Sequence, residues 1–113
     1  KEINFNIKSI SIQELKLLLT KSTKEILLID VRNQNEYNEC SISGSKLIPL
    51  NKIESGEAIN EIKILAAEKV LYLFCKSGKR SLRAINYLKK FDISGINIEG
   101  GIEAWNQEKI NTS

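Results

Sequence analysis

One heptapeptide gathers groups that could do chemistry: Cys75-Lys76-Ser77-Gly78-Lys79-Arg80-Ser81. A cysteine is a nucleophile only as its thiolate, and a thiolate needs hydrogen-bond donors or positive charge around it. Three cations, Lys76, Lys79 and Arg80, follow Cys75 at once. Gly78 opens backbone conformations closed to other residues, so the chain can turn sharply there. A loop that curls from a strand into a helix N-terminus points several N–H groups inward and forms an anion cradle, strengthened by the helix dipole. Such a cradle stabilises a thiolate and would equally hold the terminal sulfur of a persulfide, Cys–S–S⁻. The chain has no histidine, so no Ser–His–Asp or Cys–His arrangement exists and the loop itself must activate Cys75. The competing reading of Cys75 is a buried residue closing a strand.

Other chemistries find little to work with. The only other cysteine is Cys40. Without a Cys-x-x-Cys pair or a histidine, a zinc site lacks ligands, so no metal is expected. Two distant cysteines are also no disulfide framework. The net charge of +3 is small and dispersed, which argues against nucleic acid and leaves a solvated basic surface or an acidic protein partner. No apolar run approaches the ~20 residues of a membrane span. Lys1 to Ser9 alternates polar and apolar residues, which is not a secretory signal. A cytoplasmic protein is expected. The 113 residues are one domain's worth, with a core over about 10–107. The chain starts at Lys1 and lacks methionine, so it reads as a domain taken from a longer protein.

The elements that must position the loop follow from apolar patterning. Ile26 to Val31 and Val70 to Cys75 are near-continuous apolar runs, the mark of parallel strands buried on both faces. Lys46 to Pro49 and Ile96 to Ile98 read as shorter strands. Ser11-Ile-Gln-Glu14 has the form of a capping box opening a helix to about Leu19. A short helix runs from Asn33 to near Cys40, with Glu36 as its N3 residue. Helical spacing recurs over Glu57 to Glu68 and Ser81 to Phe91, and after Gly100-Gly101, where Trp105 is a core anchor. Strands alternating with helices predict an α/β fold with a mostly parallel sheet.

These residues carry a family resemblance. Cys75-x-x-Gly78-x-Arg80-Ser81 resembles the active loop of single-domain rhodaneses. Four further marks stand in the family's order: Leu28-Ile-Asp30-Val-Arg32 with Glu36-Tyr37, Ile42-Ser-Gly44, Ile48-Pro49-Leu50, and Gly100-Gly-Ile-Glu-Ala-Trp105. The match covers about Ile10 to Trp105. The resemblance implies a rhodanese-like fold: a central, mostly parallel five-stranded sheet with helices on both faces. It implies a sulfurtransferase in which Cys75 takes sulfane sulfur from a small anionic donor such as thiosulfate and passes it from a persulfide to a thiophilic acceptor. No cofactor beyond that covalent persulfide is implied. Lys76, Ser77, Gly78, Lys79, Arg80 and Ser81 would bind substrate, and Asp30 and Arg32 would order the surroundings of the loop.

The chain departs from the family at Cys40-Ser41, where Gly-His is common. Cys40 is either a second redox thiol or a small residue tolerated in a turn. Arg32 could instead belong to an ordinary surface ion pair. The chain is also similar to the C-terminal rhodanese domain of molybdopterin-synthase adenylyltransferase proteins, which implies a fused adenylating domain and a ubiquitin-like sulfur-carrier partner. Two other functions stay open. A phosphatase or arsenate reductase of related fold has a longer loop, Cys-x5-Arg, against Cys75-x4-Arg80 here. A non-catalytic rhodanese-like interaction module typically lacks the cysteine.

Overall fold

The computed structural model describes residues 7–21 and 23–112, apart from the side chains of 109–112. In chain order the elements are β1 (Ser9–Ile10), α1 (Ile12–Lys21), a 3-10 turn (Thr23–Glu25), β2 (Ile26–Asp30), α2 (Gln34–Glu39), β3 (Lys46–Leu47), α3 (Leu50–Glu54), α4 (Ile59–Leu65), β4 (Val70–Phe74), α5 (Lys79–Lys89), β5 (Ile96–Ile98) and α6 (Gly101–Thr112). The five strands pair in the order β1-β5-β4-β2-β3, and every pairing is parallel. β2 and β4 form the centre, in register from Ile26 opposite Val70 to Asp30 opposite Phe74. Their apolar runs are continuous because both faces are covered.

Alternation along the strands sorts the core into two halves. Leu27, Ile29, Leu71, Leu73 and Cys75 face Ile53, Ile59, Ile62, Ala84, Ile85 and Leu88, which come from α3, α4 and α5. Leu28, Tyr72, Phe74 and Ile98 face Ile12, Leu15, Ile42 and Ile102 on the other side. Each fully buried aliphatic or aromatic side chain contributes about 1.5–3 kcal/mol, so two such clusters hold the sheet firmly from both sides. The predicted capping box is complete: Glu14 N–H donates to Ser11 Oγ at 3.1 Å, and Ser11 N–H donates to Glu14 Oε1 at 3.0 Å.

The structure departs from the sequence reading at several elements. The strand over Lys46–Leu47 and the helix over Ile59–Leu65 are shorter than expected, and four further differences stand out. β1 was not anticipated, because two residues are too few to show a period; it pairs through Ser9 opposite Asn97 and Ile10 opposite Ile98. α3 is likewise a five-residue helix behind Pro49, too short to register as periodic. α5 begins at Lys79 rather than Ser81, so part of the cysteine loop is helix. Trp105 is only partly buried at the edge of the second cluster, with Lys16 Nζ 5.5 Å from its ring centre. Residues 1–6, most of the alternating N-terminal segment, lie outside the described residues. Among the described residues, no helix is long and apolar enough to cross a membrane.

Candidate active site

β4 ends at Phe74, and the next residue is Cys75, at the carboxyl edge of the sheet where parallel folds place their ligands. Cys75 is 1% exposed, while its neighbours Lys76, Ser77 and Lys79 are exposed. Gly78 turns the chain with φ +120°, a left-handed value that favours glycine. The turn aims its own N–H at Cys75 Sγ at 3.1 Å, and Ser81 N–H follows at 3.4 Å. Ser81 Oγ lies 3.5 Å from the same sulfur. Burial pushes the thiol pKa up, but hydrogen bonding with the Ser81 side chain and with the Ser81, Gly78 and Ser77 backbone outweighs it and holds the thiol below its ordinary value. The cradle expected from the sequence therefore exists. Its force comes chiefly from hydrogen-bond donors rather than from the lysine charges, because Lys76 and Lys79 stand out in solvent.

The first turn of α6 supports the loop from below. Ile102 N–H donates to Cys75 O at 2.8 Å, and Glu103 N–H donates to Lys76 O at 3.1 Å. Two of the unpaired N–H groups that begin any helix are thereby spent on the cysteine loop. Such contact requires a glycine: a Cβ on Gly101 would lie 2.2 Å from Cys75 O.

Arg80 closes the loop, and its partner is Glu36 rather than Asp30. It forms a two-pronged pair with Glu36, at 2.8 and 3.0 Å. Asp30 is not free to receive it, because Arg32 Nε and Nη2 already hold both of its carboxylate oxygens at 2.7 to 3.2 Å. That second pair is buried, with Arg32 4% and Asp30 0% exposed; it is not a surface ion pair. Asp30 also accepts from Arg32 N–H at 3.0 Å and from Ser41 Oγ at 2.8 Å, while Arg32 Nη2 donates to Cys40 O at 2.6 Å. Charges taken out of water need this degree of pairing. Glu36 does more than cap its helix. It accepts from Asn33 N–H at 3.1 Å as well as from Arg80, and the Arg80 hydrogen bonds draw its pKa down to about 2.

On the other side of Cys75, β5 contributes Asn97, a polar side chain only 5% exposed. Ser81 Oγ stands 2.6 Å from Asn97 Oδ1. Cys40 is exposed; its backbone joins the Arg32 network, and its sulfur lies 3.6 Å from Asn106 Nδ2. Among the described residues, no group of three or more His, Cys, Asp or Glu is placed to hold a metal ion.

The model of the rhodanese-like domain matches residues 11–108 of the sequence. The chain belongs to the rhodanese-like domain family. It is 38% identical over 85 residues to the probable adenylyltransferase/sulfurtransferase MoeZ of Mycobacterium tuberculosis, covering 74% of this chain and 21% of that protein. It is 32% identical over 102 residues to YtwF of Bacillus subtilis, a candidate sulfurtransferase by name, covering 90% of this chain and 93% of that one. Among solved structures, a rhodanese-like domain protein from Staphylococcus aureus superposes with a TM-score of 0.76 at 34% identity, covering 88% of this chain and 91% of that chain. The chain spans only 21% to 59% of the length of several curated relatives it matches.

Within this rhodanese domain the tertiary structure brings Cys75, Gly78 and Ser81 together around one sulfur, and sets Arg80 and the Asp30–Arg32 pair in the wall beside it. Lys76, Ser77 and Lys79 form the exposed rim. A cleft of about 180 Å³ beside the loop is lined in part by Arg32, Asn33, Leu50 and Arg80. Three contributors escaped the sequence reading. Glu36 looked fully explained as a helix cap. Gly101 carried a signal, a Gly-Gly pair directly before a helix, but nothing local said what it approaches. Asn97 showed as one polar residue between two isoleucines, a pattern that a half-exposed strand would also give.

Proposed function

We propose that this rhodanese domain is a sulfurtransferase that carries sulfane sulfur on Cys75. The supporting observation is the convergence of the Gly78 and Ser81 N–H groups on Cys75 Sγ, with no histidine in the chain to serve as a base. In the first half-reaction the Cys75 thiolate attacks the outer sulfur of a donor such as thiosulfate. The donor's S–S bond breaks, sulfite leaves with the electron pair, and Cys75–S–S⁻ remains. In the second, an acceptor nucleophile such as cyanide attacks the terminal sulfur, the Cys75 S–S bond breaks, and the thiolate returns. Covalent capture divides one difficult transfer into two easier ones. The inward N–H donors serve both anions, since thiolate and persulfide place negative sulfur in the same cradle. The exposed Lys76 and Lys79 at the rim, with the inward N–H donors, favour a small anionic donor. The short Cys75-x4-Arg80 loop suits one sulfur atom better than a phosphate with its oxygens.

The likeness to MoeZ motivates the finer reading. We place the domain in the cytoplasm as the sulfur-supplying module of an adenylyltransferase system, its acceptor the activated C-terminus of a ubiquitin-like sulfur carrier. The deciding experiment is mass spectrometry with thiosulfate followed by cyanide. The protein should gain the mass of one sulfur atom and lose it as thiocyanate. Cys75→Ala should abolish both the gain and turnover, while Cys40→Ala keeps most of the turnover. Substantial transfer by the Cys75→Ala variant would overturn the assignment.

A further inference from the structure

Asn97 lies in β5 between β1 and β4, a position that a sheet covered on both faces ordinarily fills with an apolar side chain. Burying an amide costs free energy unless its polar atoms find partners. Here each end of the amide meets a hydroxyl: Oδ1 lies 2.6 Å from Ser81 Oγ, and Nδ2 lies 3.5 Å from Ser9 Oγ. Each hydroxyl can donate or accept, so the amide can present either end to either neighbour.

Proton counting at Ser81 makes that freedom consequential. The Ser81 hydroxyl has one proton and three neighbours able to accept it: Asn97 Oδ1 at 2.6 Å, Gly78 O at 3.0 Å and Cys75 Sγ at 3.5 Å. With the amide oxygen facing Ser81, the shortest contact takes the proton, and a Cys75 thiol donates its S–H to the Ser81 lone pair. A thiolate needs the opposite. If Ser81 turned its proton to the sulfur in this arrangement, two oxygens would face each other at 2.6 Å with no hydrogen between them. A half turn of the amide removes the conflict. Nδ2 then donates to Ser81 Oγ, Ser9 donates to Oδ1, and the Ser81 proton is released toward the sulfur.

We propose that Asn97 is a positioning residue for Cys75, its amide setting which way the Ser81 proton points and so matching the site to thiol or thiolate. Asn97 touches neither the sulfur nor a substrate; it acts through Ser81. The inference rests on Cys75 being the reactive sulfur of the proposed transfer, and it is independent of donor and acceptor.

The test uses the Cys40→Ser chain, in which Cys75 is the only thiol, and follows thiolate absorbance against pH. Asn97→Asp offers Ser81 only acceptors, so the midpoint should rise by about one pH unit, the scale of one hydrogen bond to a charged group. The new carboxylate charge pushes the same way, so the same change is made in a Ser81→Ala background. With no hydroxyl to turn, most of the shift should vanish; an undiminished shift there overturns the proposal. A measurement without either variant covers the case in which they fail to fold. The Asn97 side-chain amide resonances in the Cys40→Ser chain should titrate with the same midpoint as the thiolate, and amide resonances flat across that midpoint overturn the proposal. Thiosulfate:cyanide transfer is assayed alongside. A titrating amide without transfer supports the relay and sinks the sulfurtransferase reading, whereas transfer with a flat amide sinks the relay alone.

Discussion

Arg80 and Glu36 tie the cysteine loop to a neighbouring helix. A guanidinium donates two parallel hydrogen bonds to a carboxylate, and the pair fixes direction as well as distance. Glu36 is in turn fixed by its helix, since its backbone N–H donates to the Asn33 side chain at 2.9 Å. The loop is therefore tied to the first turn of α2, on the far side of the cleft. An ammonium cannot reproduce the fork. Arg80→Lys should cost about 1 kcal/mol of stability, a partly exposed pair being worth no more. It should also lower sulfur transfer several-fold through kcat, because the loop donors lose their fixed aim. Thermal unfolding and steady-state kinetics measure the two effects; unchanged values for both would remove Arg80 from this role.

The elements meet at the cysteine loop from three directions. β4 delivers Cys75, α5 begins inside the loop and supplies the Ser81 donors, and α6 braces the loop through its first N–H groups. The last contact depends on glycine. Gly101 has φ +57°, and the space where a Cβ would stand is taken by the Cys75 and Lys76 carbonyls. Gly101→Ala should destabilise the domain by about 2 kcal/mol or more, from backbone strain together with the forced retreat of the loop. Because the retreat moves Cys75 itself, transfer activity should fall further than the loss of folded protein explains. Activity per folded molecule, taken from kinetics alongside a denaturation curve, checks this. A variant with normal activity would show that α6 merely covers the sheet.

For the molecule as a whole, pH enters through the same ion pair that orders the site. Arg80 hydrogen bonding lowers the Glu36 pKa from 4.5 to about 2. A carboxylate depressed in the folded state stabilises the fold above its unfolded pKa, and that contribution is lost as pH falls through the folded value. Stability should therefore hold above about pH 5 and decline between 4.5 and about 2. Glu36→Gln should cost about 1 kcal/mol at neutral pH, discounted for partial exposure, and should flatten the acid limb over that window. Chemical denaturation at a series of pH values reads both effects; an acid limb of unchanged slope would place the pH dependence elsewhere. Activity should fall in the same direction as pH drops, since the proposed transfer also needs Cys75 deprotonated. Its lowered pKa should carry the plateau of kcat/KM below the ordinary thiol range.

Much of this was legible in the residues themselves. The central strands, the capping box at Ser11 and the cysteine loop are local: each depends on apolar continuity, capping chemistry or a glycine within a few residues of chain. The order of the loop motif and its companions was enough to imply the rhodanese family, and with it a five-stranded sheet. What the chain could not display one residue at a time was the pairing across distance. Glu36 and Arg80 are 44 residues apart, and Asn97 lies 16 residues beyond Ser81. No periodicity records such contacts, because a carboxylate that caps a helix and one that also grips an arginine look identical in sequence. The fold alone decided that Asp30 belongs to Arg32, that Arg80 belongs to Glu36, and that a buried amide stands behind Ser81. The physical reason is that a parallel sheet brings the carboxyl ends of distant strands to one edge, where polar groups must find partners from whatever the packing places beside them.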